Sequence, residues 1–370
     1  MANTGVSTES FATETKQTHS GKKLRVALVG CGGISDIHFR TLKKFADVEI
    51  VAGVDIKPDR LEWAKKTHGV EALYDDWKKM LKEVKPDAVD VCTPNGVHAP
   101  AIIDALNAGC HAITEKPMAM SPKECEKMIE AAKKNKKKLS VGFQYRYHPN
   151  TEFITKARDE GEFGKLMYVR CQALRRRGIP NWGVFGQKHL QGGGPMIDIG
   201  VHVIEMAHYA MGSPKPVAAT GNTWTYHGNK PSAVASQWPN WDYKTYTVED
   251  LAIGHIRFDN GAILHIEASF VAHIEKDIWN FEIMGEKGGC RWDPPTVFTD
   301  RAGHMTNYSP TFTGRGGFDE LFYSKLRNWV DGCLYNKPLR APGEAGLAVQ
   351  KILSGVYASA ENGGKEIKID

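Results

Sequence analysis

Residues 24 to 35 read LRVALVGCGGIS, and the fold turns on whether these glycines close a strand or merely loosen a loop. LRVALVG is a short apolar run ending in Gly30, of the kind that forms a strand buried on both faces. A helical stretch follows to about Phe45, and then a second apolar run, VEIVAGVD, from 48 to 55. Strand, glycine turn, helix and strand make a βαβ unit. In that setting Gly30 permits a tight turn, Gly32 lets backbone approach a pyrophosphate, and Gly33 and Ile34 lead into the helix. Ser35 is small enough to keep the helix against the strand, whose partner helix offers amides and a positive dipole end to phosphates. Asp55 closes the second strand at about the expected ~20-residue spacing from the turn. A carboxylate there accepts ribose hydroxyls and repels a 2′-phosphate, so NAD is expected in preference to NADP, although Lys57 and Arg60 offset part of the repulsion. Asp55 can also cap the helix that starts near Pro58.

Outward from this unit the alternation continues. Helices are expected from about Pro58, near 76 to 83, from about His98 to Ala108 and from Ser121, with strands at DAVDVCTP (87 to 94), around Ile113 and at KLSVGF (138 to 143). This is a parallel sheet covered by helices. Ligands of such sheets lie beyond the carboxyl ends of the strands, which directs attention to two further strand ends. In CTPNGVHAP (92 to 100), Thr93, Pro94 and Asn95 make a stiff loop suited to a nicotinamide, and His98 is either a cofactor contact or a helix N-terminal residue. In HAITEKPMAM (111 to 120) a strand stops at Glu115-Lys116-Pro117 and displays Lys116 where the cofactor's reactive end is expected. Glu115 either tethers that ammonium or faces solvent.

After Phe143 the architecture changes to longer runs with period two. VEDLAIGHIRFDNGAILHIEASF (248 to 270) contains Asn260-Gly261 between two strand-like runs, a strong hairpin signal. Ala262, Leu264, Ile266, Ala268 and Phe270 alternate with mostly polar residues, as in a half-solvated antiparallel sheet. About five to seven strands are expected, flanked by helices near 150 to 160, 317 to 333 and 343 to 361. In QGGGPMIDIGVHVIEMAHYAMG (191 to 212) Asp198 and His202 stand four apart on one face of an apolar helix. A carboxylate touching an imidazole would raise its proton affinity and orient it as a general base. Glu205 and His208 fall on other faces and read as structural. The fold class is therefore α/β, a dinucleotide-binding domain with a parallel sheet plus a second α+β domain with a largely antiparallel sheet, divided as a flexible tail (1–20), the dinucleotide-binding domain (21–144) and the second domain (145–370).

Composition excludes other classes. Hydrophobic residues make up 41% and charged residues 25%, which fits a globular chain. The net charge of +5 owes much to AKKNKKK (132 to 138), which reads as a solvated helix terminus and not as a nucleic-acid patch. Seven cysteines, odd in number and without C-x-x-C spacing, suggest neither a disulfide framework nor a metal site, and point to a reducing, cytoplasmic compartment. No apolar run approaches the ~18 residues a membrane span requires.

The turn VGCGGIS, CTPNGVHAP, EKP at 115 to 117, VGFQYRYHP (141 to 149) and GGGPMIDIGVHVIEMAHYAMG together resemble the Gfo/Idh/MocA family over residues 23 to 370. The resemblance implies a Rossmann domain, a C-terminal open sheet often used in homo-oligomer contacts (dimer or tetramer), and NAD-dependent oxidation or reduction of sugars and polyols. It also implies that Lys116 hydrogen-bonds the reacting oxygen, His202 removes the alcohol proton and Asp198 supports it. Substrate contacts are expected from these three and from Tyr145, Arg146, Arg176 and Trp182, since arginine forks and aromatic rings suit hydroxyl-rich ligands, the alternative being a loop of solvated arginines. Some members are glycosidases that oxidise a ring carbon transiently, which stands as the alternative to a dehydrogenase.

Overall fold

The computed structural model describes residues 21 and 23–370, so the expected tail at 1–20 lies outside the described residues. Six parallel strands form the first sheet: β1 (Leu24–Val29), β2 (Val48–Val54), β3 (Leu73–Tyr74), β4 (Ala88–Val91), β5 (His111–Thr114) and β6 (Leu139–Val141). Their order is β3-β2-β1-β4-β5-β6, in which the reversal beside β1 opens a crevice at the strand ends. Apart from the half-buried Arg25, the side chains of β1 and β4 are buried on both faces, as their largely apolar runs require. The helix after Asn95 begins at that residue and runs to Asn107, earlier than the expected His98 start, because Pro94 cannot continue the strand and its fixed φ suits the start of a helix.

The second sheet has nine strands: β7 (Leu166–Leu174), β8 (Pro216–Trp224), β9 (Leu251–Phe258), β10 (Ile263–Ser269), β11 (Ile278–Gly285), β12 (Gly288–Arg291), β13 (Thr296–Arg301), β14 (His304–Tyr308) and β15 (Ile367–Lys368). The order is β14-β13-β12-β11-β7-β10-β9-β8-β15, antiparallel except between β7 and β10. This exceeds the expected five to seven because β12 to β15 are short pieces without apolar alternation. The Asn260-Gly261 hairpin forms as read, and Ala262, Leu264, Ile266, Ala268 and Phe270 are all fully buried.

Two long C-terminal helices bind the sheets together. The helix Phe318–Tyr335 packs Leu326, Trp329 and Val330 into the cluster formed by Leu24, Val26 and Leu28 of β1. The helix Gly343–Glu361 packs on β8 and β9, where Gly221 and Gly254 lie so close to Val356 that a Cβ at either would stand 2.7 Å from it. The lysine run falls as expected, with Lys133 and Lys134 in the last turn of the helix Pro122–Lys134. Among the described residues no helix is long and apolar enough to cross a membrane.

Candidate active site

The turn after β1 has the shape a dinucleotide requires. Gly30 adopts φ +95°, and a Cβ there would stand 2.7 Å from the carbonyl carbon of Cys92, so only glycine fits. At Gly32 and Gly33 a Cβ would meet nothing within 4 Å, leaving an open cradle directly before the helix Ser35–Leu42. Ser35 itself is buried, and its hydroxyl donates to the Gly32 carbonyl at 2.6 Å, so it braces the turn. Asp55 accepts the Cys31 amide at 2.8 Å through Oδ2 and the Lys57 amide at 2.9 Å through Oδ1, which seats its carboxylate beside the turn. The residue at the N-cap of the helix Pro58–His68 is Lys57, so Asp55 does not fill that position. Arg60 donates to the Cys31 carbonyl at 2.7 Å and stacks on Trp63. An open glycine turn, a helix start beyond it and a carboxylate beside it suit a dinucleotide.

From this turn a cleft of about 670 Å³ extends between the sheets. Its walls include Gly32, Gly33 and Ile34, the loop Thr93-Pro94-Asn95, Glu115, Lys116, Tyr145, Trp182, Asp198 and His202, all singled out in the sequence. Lys116 Nζ donates to the Asp198 carbonyl oxygen at 2.8 Å and meets its carboxylate at 3.2 Å. His202, from the helix Val201–Ala210, is 8% exposed and meets Tyr145 edge-on with ring centroids 5.2 Å apart. Its Nδ1 is buried without a partner. Burial, and secondarily the Lys116 ammonium, hold its proton affinity well below the ordinary imidazole range, so the ring is neutral at physiological pH.

Several expectations need correction. Asp198 does not touch His202: it lies in a π-helical turn, Met196–Gly200, and the widened turn changes the angle between positions four apart, so the carboxylate turns to Lys116. Arg146 is 2% exposed and paired with Glu205 at 2.9 Å, with a further nitrogen on the Arg340 carbonyl, so it braces the core and does not line the cleft. Arg176, in the bend just past β7, points outward to the Glu275 carbonyl, while its neighbour Arg175 faces the cleft. His98 is fully buried, with its two ring nitrogens 2.9 Å from the carbonyls of Pro117 and Thr93, to one of which the neutral ring donates, and it sits as a clip between two loops. Glu115 tethers an ammonium, but that of Lys325 at 2.6 Å, not that of Lys116.

The cleft also holds residues the sequence did not single out. Gln144 and Gln191 each bury a side-chain oxygen with no partner, as Thr93 does with its hydroxyl. Buried polar groups are normally paired, so these three, with His202 Nδ1 as a fourth, leave the cleft polar atoms free to meet a ligand. Both glutamines were within reach of sequence reasoning, since Gln144 precedes Tyr145 and Gln191 opens the glycine run before Asp198, each in a stretch already quoted. Phe185 and Trp279 add aromatic walls beside Trp182 and Tyr145.

Comparison with known proteins agrees with this architecture. Residues 24–143 match the GFO_IDH_MocA family model, described as an oxidoreductase family with an NAD-binding Rossmann fold, and residues 152–291 match the GFO/IDH/MocA C-terminal domain. The chain is 35% identical to the D-glucoside 3-dehydrogenase of Escherichia coli (strain K12), over 94% of this chain and 98% of that protein. It is 31% identical to the levoglucosan dehydrogenase of Pseudarthrobacter phenanthrenivorans, over 63% of this chain and 62% of that one. A solved structure of levoglucosan dehydrogenase in complex with NADH, 24% identical, shares the fold with a TM-score of 0.81, covering 94% of this chain and all of that one (100%). The chain therefore belongs to the Gfo/Idh/MocA family, as an NAD-binding oxidoreductase acting on CH–OH groups.

Proposed function

We propose that this protein moves a hydride between NAD and a secondary hydroxyl or ketone of a sugar, with a glucoside as the substrate class. The observation that carries this reading is the meeting of Lys116, Asp198 and the neutral His202 in the cleft that begins at the open glycine cradle. When bound, NAD supplies the hydride acceptor. Lys116 donates a hydrogen bond to the substrate oxygen and stabilises the charge that grows on it, while Asp198 holds the ammonium in place. His202, deprotonated at neutral pH, takes the hydroxyl proton, so proton and hydride leave the same carbinol and a carbonyl remains. Gln144 and Gln191 offer acceptors to hydroxyl or amide donors, and Tyr145, Trp182 and Trp279 offer faces to a sugar ring. Similarity to the E. coli D-glucoside 3-dehydrogenase supports the choice of a glucoside.

The test is incubation with NAD and a panel of sugars that includes a chromogenic glucoside. NADH forming in proportion to substrate, without aglycone release, is the expected result. Aglycone release without net NADH would replace the dehydrogenase by an oxidising glycosidase, and no reaction with any sugar or polyol would overturn the reading. We further assign the protein to a reducing, cytoplasmic setting, supported by seven unpaired thiols, and to a homo-oligomer joined through the open sheet face that exposes Met167 and Met284. Light scattering that returns a monomer would refute the second assignment.

A further inference from the structure

Behind the cleft wall lies a buried charged cluster that neither cofactor binding nor proton removal uses. Lys325, from the helix Phe318–Tyr335, is 1% exposed, with Nζ 2.6 Å from Glu115 Oε1 and 3.7 Å from the centre of the Phe322 ring. The same Glu115 oxygen meets His38 Nε2 at 3.1 Å, and His38 Nδ1 meets Asp90 at 2.6 Å. A lysine this deep is rare unless paired, and apolar residues often stabilise a core as well as a buried ion pair does, so stability alone does not account for the cluster. Nor is it a metal centre. His38, Asp90 and Cys92 present ligand atoms within 4.8 Å of one another, but both imidazole nitrogens are already bonded and the Lys325 ammonium stands 3.3 Å from one of them.

Three observations aim the cluster at Lys116. The Glu115 amide donates to the Val91 carbonyl at 3.0 Å, and Glu115 Oε2 accepts the Lys116 amide at 3.3 Å, so this residue is fixed at both its backbone and its side chain. The seat of its carboxylate is tight, since a Cβ at Gly142 would stand 2.7 Å from Oε1. Consecutive residues of extended chain project to opposite sides, so anchoring Glu115 inward sends Lys116 outward into the cleft, where it meets Asp198.

We propose that Lys325 is a positioning residue: by clamping Glu115 against His38 and Asp90, it fixes the backbone of Lys116 and so keeps that ammonium aimed at the reacting oxygen. This rests on the reading of Lys116 as the group that binds that oxygen. Misplacing a catalytic group by an ångström costs on the order of 100-fold in rate, so the clamp matters although Lys325 touches no ligand.

The experiment compares the full chain with Lys325→Met by two readouts. The first is acetylation of Lys116 by a water-soluble acylating reagent, followed by peptide mass spectrometry without substrate. The second is kcat and KM on whichever sugar the wild type oxidises. The clamp predicts at least tenfold faster acetylation of Lys116, NADH affinity within about twofold of wild type, and kcat lowered about 100-fold with KM changed far less. If Lys325→Met does not fold, the pair Glu115→Gln with Lys325→Met, which leaves no unpaired ion between them, carries the same readouts. Wild-type protection of Lys116 in a folded variant overturns the proposal. Acetylation needs no turnover, so a failure of every sugar in the panel would refute the functional reading while the acetylation rates still decide whether the clamp exists.

Discussion

At the residue scale, the proposed chemistry depends on one imidazole staying neutral beside one ammonium. His202 is held below its ordinary value first by burial and then by Lys116. Removing that cation must raise the proton affinity of His202, so an NMR titration of Lys116→Met should place the imidazole transition at higher pH than in the wild type. An unchanged or lower transition would mean that the two side chains do not sense one another. Asp198→Asn keeps the carbonyl bond to Lys116 and loses only the carboxylate. Turnover should fall by roughly 10- to 100-fold, less than for loss of a full acid–base partner. Lys116, His202 and Trp182 could be singled out from local pattern alone. The partner of Asp198 could not, because four-residue spacing implies contact only in a regular α-helix, and the π turn at Met196–Gly200 has no sequence mark. Arg175 and Arg176 are adjacent and identical in type, and only the register of the strand end decides which one faces the cleft. Lys325 was illegible for a different reason, since its contact with Glu115 spans 210 positions.

At the scale of elements, two glycines in one turn have opposite reasons to be there. Gly30→Ala meets the Cys92 backbone and a positive φ, so the first βα turn should be destabilised by about 1–3 kcal/mol from strain alone, with a lowered melting temperature. Gly32→Val meets no protein atom at its Cβ, so the melting temperature should hold while NADH affinity falls at least tenfold, about 1.4 kcal/mol. Calorimetry paired with NADH fluorescence separates the two, and equal loss of stability in both variants would contradict the assigned cradle. The parallel half was legible because each of its signals is local: an apolar run, a glycine turn, an aspartate at the next strand end. Strands β12 to β15 escaped because strands two to six residues long gain their order from neighbours and not from their own pattern.

At the scale of the molecule, the helix Phe318–Tyr335 seals the first sheet although it belongs to the end of the chain. Trp329 is fully buried against β1, so Trp329→Ala should cost roughly 3–5 kcal/mol, measured by denaturant unfolding. Proton linkage adds a pH dependence. His208 is buried, its proton affinity pressed from 6.5 to about 4, so the unfolded chain binds the extra proton between those values. Stability from this group is complete above pH 6.5 and is lost as pH falls towards 4, by up to about 3 kcal/mol. His98 and His202 shift the same way, whereas His38 is raised by Asp90 and contributes with the opposite sign. Glu205, raised by burial to about 7, also acts with the opposite sign in this window, so the contribution of His208 is read as a difference. Between pH 6.5 and 4 the melting temperature of the wild type should fall relative to that of His208→Gln. Parallel profiles would show that His208 binds its proton alike in the folded and unfolded chain.

The central claim is that Lys116 and His202 work on a single substrate oxygen, and it is tested most directly by turnover in Lys116→Ala and His202→Ala beside NADH binding. The account predicts kcat reduced by about 100- to 10,000-fold in each, with NADH bound nearly as tightly as by the wild type. Wild-type kcat in either folded variant would contradict it.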